Sequence, residues 1–256
     1  MNSTPPRRPG FPARLPAASG GAPAPAPVAA PRRAAATAPV PTGAGMDSQA
    51  VRSGMVERLR AQGGMEPAVL ESMLRVPRHL FLEPGLAAQA YLDNALPIGH
   101  GQTISKPSVV ARAASVLLQA LGGRPAKVLE IGTGCGYQAA VLAGVAGEVY
   151  SIERIRALHE LARRNLRALR LANLRLLFGD GMAGAEIGAP FDAVISAAAA
   201  VHAPAAWLEQ LRPGGVLVAP LGQPQRLTAM RKLAAGRFET CSVEEARFVP
   251  LKSGIL

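Results

Sequence analysis

The 256-residue sequence predicts an α/β protein: a doubly wound, mostly parallel sheet with a helical subregion at its N-terminal side. Three observations predict it. Short apolar runs alternate with helix-compatible runs from Lys127 onward, three glycines recur directly behind the first run, and acids stand at the ends of the second and third. Strands that alternate with helices imply a parallel sheet covered on both faces, and such sheets bind ligands beyond their C-terminal strand ends.

The first 45 residues hold 11 of the 23 prolines, five arginines and no acid. Such a segment cannot bury enough apolar area to offset its ordering entropy. A disordered extension over 1–45 and a single domain over 46–256 are therefore expected. Prolines interrupt every stretch where the apolar core of a secretory signal would sit, which also argues against reading Arg7-Arg8 as an export signal. Residues 50–62 and 67–75 carry apolar side chains at helical spacing, broken by Gly63-Gly64 and Val76-Pro77. Residues 94–103, with Pro97, Gly99 and Gly101, read as an irregular loop. A helix is expected over about 106–121, and Ser105 before it is of a type favoured at an N-cap.

Residues 127–131 read as the first strand, followed by Gly132, Gly134 and Gly136 and a helix-compatible run over 138–144. Glycine suits a tight turn that must take positive φ and approach a ligand without a Cβ in the way. The helix start then offers free N–H groups. The pattern, E-x-G-x-G-x-G, is not the G-x-G-x-x-G of dinucleotide folds, and no Lys-Ser/Thr pair follows to grip a phosphate. Residues 148–152 read as the second strand, with Glu153 at its end, 23 positions beyond Glu130. An acid about 20 residues past such a turn accepts ribose hydroxyls in doubly wound folds. The alternative is a solvated acid at the start of the next helix, near Arg154. The glycine turn one strand earlier favours the ribose reading. Residues 174–178, the third strand, end in Gly179-Asp180-Gly181, where Asp180 suits either an adenine amino group or an ordinary turn. Residues 191–196 and 215–220 read as the fourth and fifth strands, and Cys241 lies in a late strand-like segment.

Composition bounds the function. No apolar run approaches the roughly 20 residues of a membrane helix. The two cysteines, Cys135 and Cys241, do not make a disulfide framework, so a reducing, cytoplasmic setting is expected. Neither lies near another Cys or a His at metal-ligand spacing, and the four histidines are scattered, so no metal is expected. The net charge is +11, of which the extension carries +5. Much of the remainder is the run Arg154, Arg156, Arg163, Arg164, Arg167, Arg170 and Arg175. It suits an acidic partner or, better, a solvated helix face with Ile155, Leu158, Leu161 and Leu169 turned to the sheet, because no aromatic residue is present there to stack a base.

Several segments together resemble a known family. The glycine loop, Glu153, Gly179-Asp180-Gly181 and Phe191-Asp192-Ala193-Val194-Ile195 are similar to the Rossmann-like fold of S-adenosylmethionine-dependent methyltransferases. Leu96 to Pro107, which reads LPIGHGQTISKP, together with Arg75-Val76-Pro77-Arg78 and Arg247-Phe248-Val249-Pro250-Leu251, resembles the protein-L-isoaspartate (D-aspartate) O-methyltransferase family over about residues 50–256. Two positions depart from its pattern: Lys106 stands where bacterial members often have Gln or His, and the small-residue run Ser196-Ala197-Ala198-Ala199-Ala200 begins with Ser.

The resemblance implies methyl transfer from S-adenosylmethionine to the carboxylate of L-isoaspartyl and D-aspartyl residues, as a first step of protein repair through a succinimide. It implies a catalytic Ser105, with Gln102, Thr103 and Ile104 on the substrate. It assigns Gly132, Gly134, Gly136, Glu153, Asp180 and Gly181 to the cofactor. The implied partners are damaged proteins, with no nucleic acid, no membrane and a monomeric enzyme. A carboxylate is already ionised at neutral pH, so the chemistry needs no general base. The rival reading on this fold, methylation of a nucleic-acid base, wants an aromatic-bearing Asn/Asp-Pro-Pro signature after the fourth strand, where this chain has Ser196 and alanines.

Overall fold

In the computed structural model, which describes residues 49–256, the chain enters through two helices, α1 (Gln49–Gln62) and α2 (Pro67–Arg75). The extension expected over 1–45 lies outside the described residues. Pro67 occupies the first turn of α2, where its missing N–H costs nothing, and Val69, Leu70 and Met73 form its buried stripe. Two 3-10 turns, Arg78–Phe81 and Pro84–Gln89, then lead to residues 94–103.

That segment is ordered, contrary to the irregular loop expected. β1 (Leu96–Gly99) and β2 (Gln102–Ile104) pair antiparallel, with Leu96 opposite Ile104 and Pro97 opposite Thr103. Gly99, His100 and Gly101 all take left-handed φ values, 89°, 53° and 66°, which turn the chain tightly enough for so short a hairpin. Proline and glycine density hid the pairing, because a two-stranded ribbon tolerates Pro97 where a central strand would not.

Helix α3 (Pro107–Leu121) follows, with Lys106 as its N-cap residue and no side-chain bond from that position. The N-cap expected of Ser105 is therefore not made. Asp93 supplies it instead, accepting from Ser108 N at 2.8 Å and from Ser108 Oγ at 2.7 Å. Gly122 closes the helix in the left-handed conformation.

Five strands form the parallel part of the main sheet: β3 (Lys127–Ile131), β4 (Glu148–Glu153), β5 (Leu174–Phe178), β6 (Phe191–Ser196) and β7 (Leu211–Leu221). β8 (Arg226–Lys232) and β9 (Phe238–Glu245) extend it as an antiparallel meander, giving the order β5-β4-β3-β6-β7-β8-β9. β3 sits between β4 and β6, so the chain's direction of travel across the sheet reverses there, and a crevice opens at that switch point. Val128, Leu129, Glu130 and Ile131 are each at most 1 % exposed, so both faces of β3 are covered. One face carries Leu129, Ile131, Ile152, Val194 and Leu217 against Trp207 of α6 (Ala205–Glu209). The other carries Val128, Val149, Ala193 and Val216, and α3 packs on β6, β7 and β8.

Helices α4 (Tyr137–Ala143) and α5 (Arg156–Leu166) make the crossovers. The buried stripe of α5 continues from Ile155 through Leu158, Ala162 and Leu166. It therefore misses Leu161 and Leu169, which were expected to face the sheet. Steps of three, four and four residues follow the helical period, and Leu161 falls to the side of that line.

Candidate active site

The site begins at the C-terminal ends of β3 and β4. Gly132 N and Thr133 N both donate to Ile152 O, at 2.9 and 3.2 Å, and Gly136 N donates to Thr133 O at 2.9 Å, which pins the glycine loop over the neighbouring strand. Gly134 has φ +56°, and its N–H donates to Glu153 Oε2 at 2.9 Å. The other carboxylate oxygen, Oε1, accepts from Ile155 N at 2.9 Å. Glu153 is only 5 % exposed, so it is not a solvated acid. It ties the loop to the start of α5 and keeps further lone pairs on both oxygens.

A narrow cleft of about 80 Å³ lies beside this loop, lined among others by Ile98, Gly132, Gly134, Glu153, Gly181 and Leu251. A Cβ at Gly134 would lie 3.2 Å from Ile98 Cδ1, and one at Gly181 would lie 2.7 Å from Ile131 Cγ2. Gly136 is placed differently. A Cβ there would meet Leu166 Cδ1 at 2.8 Å, so this glycine lets α5 pack and does not line the cleft.

Behind the loop lies a polar group that the sequence reading did not assign. Glu130 is fully buried, and Ser151, its partner across the β3–β4 ladder, donates a short hydrogen bond to its Oε2. Thr133 Oγ1 lies 2.6 Å from Ser151 Oγ, and Glu130 Oε1 adjoins the Gln138 amide without a partner in full hydrogen-bond geometry. Burial pushes the Glu130 carboxyl up to about 8, partly opposed by hydrogen bonding from Ser151, so it is mostly protonated at neutral pH. Burial also pushes the Cys135 thiol up to about 11, which leaves it a poor nucleophile.

The residues expected to meet substrate arrive on the β1–β2 hairpin and the turn into α3. Gln102, Thr103 and Ser105 line the cleft, while Ile104 is buried and reaches only a smaller cavity behind it. The Ser105 hydroxyl makes no hydrogen bond among the described residues, and the Ser105 carbonyl accepts from Arg78 Nη2 at 2.7 Å. On the far side of Ser105 runs a groove of about 720 Å³, bordered by Lys106, Ser108, Gln225, Glu245 and Arg247. Thr103, Ser105, Ala197 and Val249 line both the cleft and the groove, so the two meet at these residues.

The last residues of the chain reach the same place. Ala199 N donates to Val249 O at 2.8 Å and Leu251 N to Ala199 O at 2.7 Å, so this segment runs beside the chain leaving β6. Beyond it, Gly254 N donates to Asp180 Oδ2 at 2.6 Å, and Arg154 holds Gly254 O at 2.7 Å. Asp180 Oδ1 accepts from Met182 N at 2.8 Å. Asp180 thus caps a turn and anchors the C-terminal segment beside the cleft, and it is Gly181 that lines the cleft itself. Trp207 Nε1 fixes Gly181 by donating to its carbonyl at 2.7 Å.

The structure therefore gathers Gln102, Thr103, Ser105, Gly132, Gly134, Glu153 and Gly181 around one cleft, with Ile104, Gly136 and Asp180 one layer back. The sequence reading left roles unassigned for Glu130, Arg78, Ala197 and the Val249–Leu251 wall. The contacts that give them roles cross between distant segments, and the sequence marked these positions only as members of quoted motifs: Glu130 in the glycine pattern, Ala197 in the small-residue run, and Arg78 and Val249 in their own short segments.

Comparison with known proteins agrees with this geometry. The sequence profile described as "Protein-L-isoaspartate(D-aspartate) O-methyltransferase (PCMT)" matches residues 50–255. A protein-L-isoaspartate O-methyltransferase of Burkholderia vietnamiensis is 56% identical over 222 residues, covering 84% of this chain and 71% of that protein. The protein of the same name from Burkholderia mallei is 56% identical over 214 residues, covering 82% of this chain and 66% of its own length. A solved protein-L-isoaspartate O-methyltransferase superposes with a TM-score of 0.69 at 26% identity, covering 80% of this chain and 67% of that one. A Plasmodium falciparum structure described by the same enzyme name, in complex with S-adenosyl-L-homocysteine, shares the fold with a TM-score of 0.68 at 23% identity, covering 78% of this chain and 98% of that one.

Proposed function

The chain belongs to the protein-L-isoaspartate(D-aspartate) O-methyltransferase family, S-adenosylmethionine-dependent enzymes that methylate isoaspartyl carboxyls, and we propose that Ser105 and Thr103 hold that carboxylate where the cleft meets the groove. The observation that carries the assignment is the sharing of these two residues by both cavities. A group bound in the groove and a group bound in the cleft can meet only at such a junction.

The residues lining the cleft suit the cofactor. Gly132 and Gly134 offer bare backbone, Glu153 offers carboxylate lone pairs for ribose hydroxyls, and a side chain at residue 134 would fill the space. When bound, S-adenosylmethionine supplies an electrophilic sulfonium methyl. This chain's residues do the rest. Ser105 and Thr103 donate hydroxyl hydrogen bonds that orient one carboxylate oxygen toward the methyl, and Gln102 and Ile98 help exclude water. No residue has to remove a proton, because the acceptor is ionised. Alignment of this kind can be worth effective molarities of roughly 10⁵–10⁸ M. Lys106 and Arg247 outnumber Glu245 along the groove, which favours an anionic acceptor.

Isoaspartyl-bearing proteins are the substrates, and we extend the acceptor to D-aspartyl carboxylates and the product's fate to a succinimide. No helix among the described residues is long and apolar enough to cross a membrane. A monomer working in the cytoplasm is the reading we adopt. The test is the linkage formed. Methyl-labelled cofactor and an isoaspartyl peptide should give a base-labile ester that releases methanol. Label that enters a base-stable amine or thioether linkage would overturn the carboxyl assignment.

A further inference from the structure

Arg78 lies outside both cavities, yet its side chain touches three separate segments around them. Its side chain is fully buried. Nε donates to Ala90 O at 2.9 Å, and Nη2 donates to Ser105 O at 2.7 Å and, more weakly, toward Asn94 O at 3.5 Å. The guanidinium carbon lies 4.6 Å from the centre of the Tyr137 ring, the first residue of α4 behind the glycine loop. Nη1 and the Tyr137 hydroxyl are buried with no partner in hydrogen-bond geometry.

A buried charge is costly, and this one is held by neutral carbonyls and an aromatic face with no ion pair to a carboxylate. Backbone carbonyls could be satisfied more cheaply by water or a neutral amide. What the planar fork adds is fixed direction: one rigid group holds the start of the hairpin, the end of the hairpin and the helix of the cofactor loop in a single geometry. The Ser105 carbonyl is the element that matters most. Fixing it fixes the peptide plane between Ser105 and Lys106, and with it the position of the Ser105 Cα from which the side chain leaves.

We propose that Arg78 is a positioning residue for methyl transfer: it sets the Ser105 hydroxyl against the cofactor loop by clamping the Ser105 carbonyl while resting on Tyr137. The proposal rests on the assignment of Ser105 to the acceptor carboxylate. Arg78 touches neither cleft nor groove, so its effect should appear in turnover and not in binding. Misplacement by about 1 Å can cost 10²-fold in rate.

The test is a double-mutant cycle on the full chain with Arg78→Lys, Arg78→Met, Ser105→Ala and the two double variants. Calorimetric stoichiometry with S-adenosylhomocysteine counts folded sites, so that turnover is expressed per competent site even if a variant is less stable. Arg78→Lys should lower kcat about tenfold or more, and Arg78→Met further. KM for an isoaspartyl peptide and the S-adenosylhomocysteine Kd should change by less than about threefold. In the Ser105→Ala background the same changes at Arg78 should lower kcat by less than about twofold, since the hydroxyl they position is gone.

Wild-type kcat per competent site in Arg78→Lys and Arg78→Met, with only a lower Tm, would overturn the proposal. An undiminished kcat loss in the Ser105→Ala background would also overturn it, by showing that Arg78 acts elsewhere. If Ser105→Ala itself turns over at the wild-type rate, the Ser105 assignment fails separately, and the positioning of its hydroxyl by Arg78 falls with it.

Discussion

Ser105 is the residue at which sequence type and structure point in different directions. A serine before a helix is favoured as a cap, yet α3 is capped by Asp93, and the Ser105 hydroxyl is left to face the two cavities. The two residues can therefore be separated experimentally. Asp93→Ala should cost about 1 kcal/mol of stability, the usual value of a cap, and leave kcat within about twofold. Ser105→Ala should do the reverse: kcat and kcat/KM on an isoaspartyl peptide should fall together by tenfold or more, with cofactor affinity unchanged. Ser105→Thr should recover part of the loss, because the hydroxyl remains. Wild-type turnover in Ser105→Ala would withdraw its catalytic role.

The elements explain how the residues are held. β3 and β4 end side by side, so the glycine loop and Glu153 meet without any long connection. The same register brings Glu130 opposite Ser151 in the dry interior of the sheet. Burial raises the Glu130 carboxyl from 4.5 to about 8 in the folded protein. The folded state then holds a proton that the unfolded state loses, so the contribution to stability is complete below about pH 4.5 and is lost as pH rises through 8. Each pH unit crossed in that window removes at most about 1.4 kcal/mol. Denaturant unfolding at pH 5 and pH 8 should show this decline in the wild type and a shallower one in Glu130→Gln. An identical pH slope in the two proteins would mean that Glu130 is ionised in the fold.

How much of these elements could be read in advance depended on what makes each one fold. β3, β4 and β6 are short apolar runs buried on both faces and β5 is an apolar run at the sheet edge, and their ends were legible because composition alone marks such strands. β8 and β9 were largely missed, since RLTAMRK and FETCSVEE are edge-region strands rich in charge, held by pairing of β8 with β7 and of β9 with β8 and not by their own apolar content. The hairpin was missed for its proline and glycines. Glu153 was legible as a strand-end acid at the right distance from the glycines, but its double backbone contact was not, because that depends on how the loop and α5 converge. Arg78 was marked only as part of a motif, since its partners come from three separate segments.

At the scale of the whole molecule, everything that builds the site lies between Arg78 and Gly254, and residues 1–45 hold none of the side chains assigned to it. A chain beginning at Met46 should therefore keep the melting temperature and peptide turnover of the full chain. A large drop in either would show that the extension docks onto the domain. In the arrangement proposed above, one cleft presents a methyl donor and one groove presents a misplaced carboxylate, with Ser105 and Thr103 at their junction. The most direct measurement compares kcat/KM for two peptides of identical composition, one with an isoaspartyl linkage and the other with the ordinary aspartyl linkage, using radiolabelled S-adenosylmethionine. The isoaspartyl peptide should be labelled rapidly and its twin should show at least a hundredfold lower kcat/KM, because the backbone then carries the carboxylate away from the junction. Equal labelling of both peptides, or of neither while the cofactor binds normally, would contradict it.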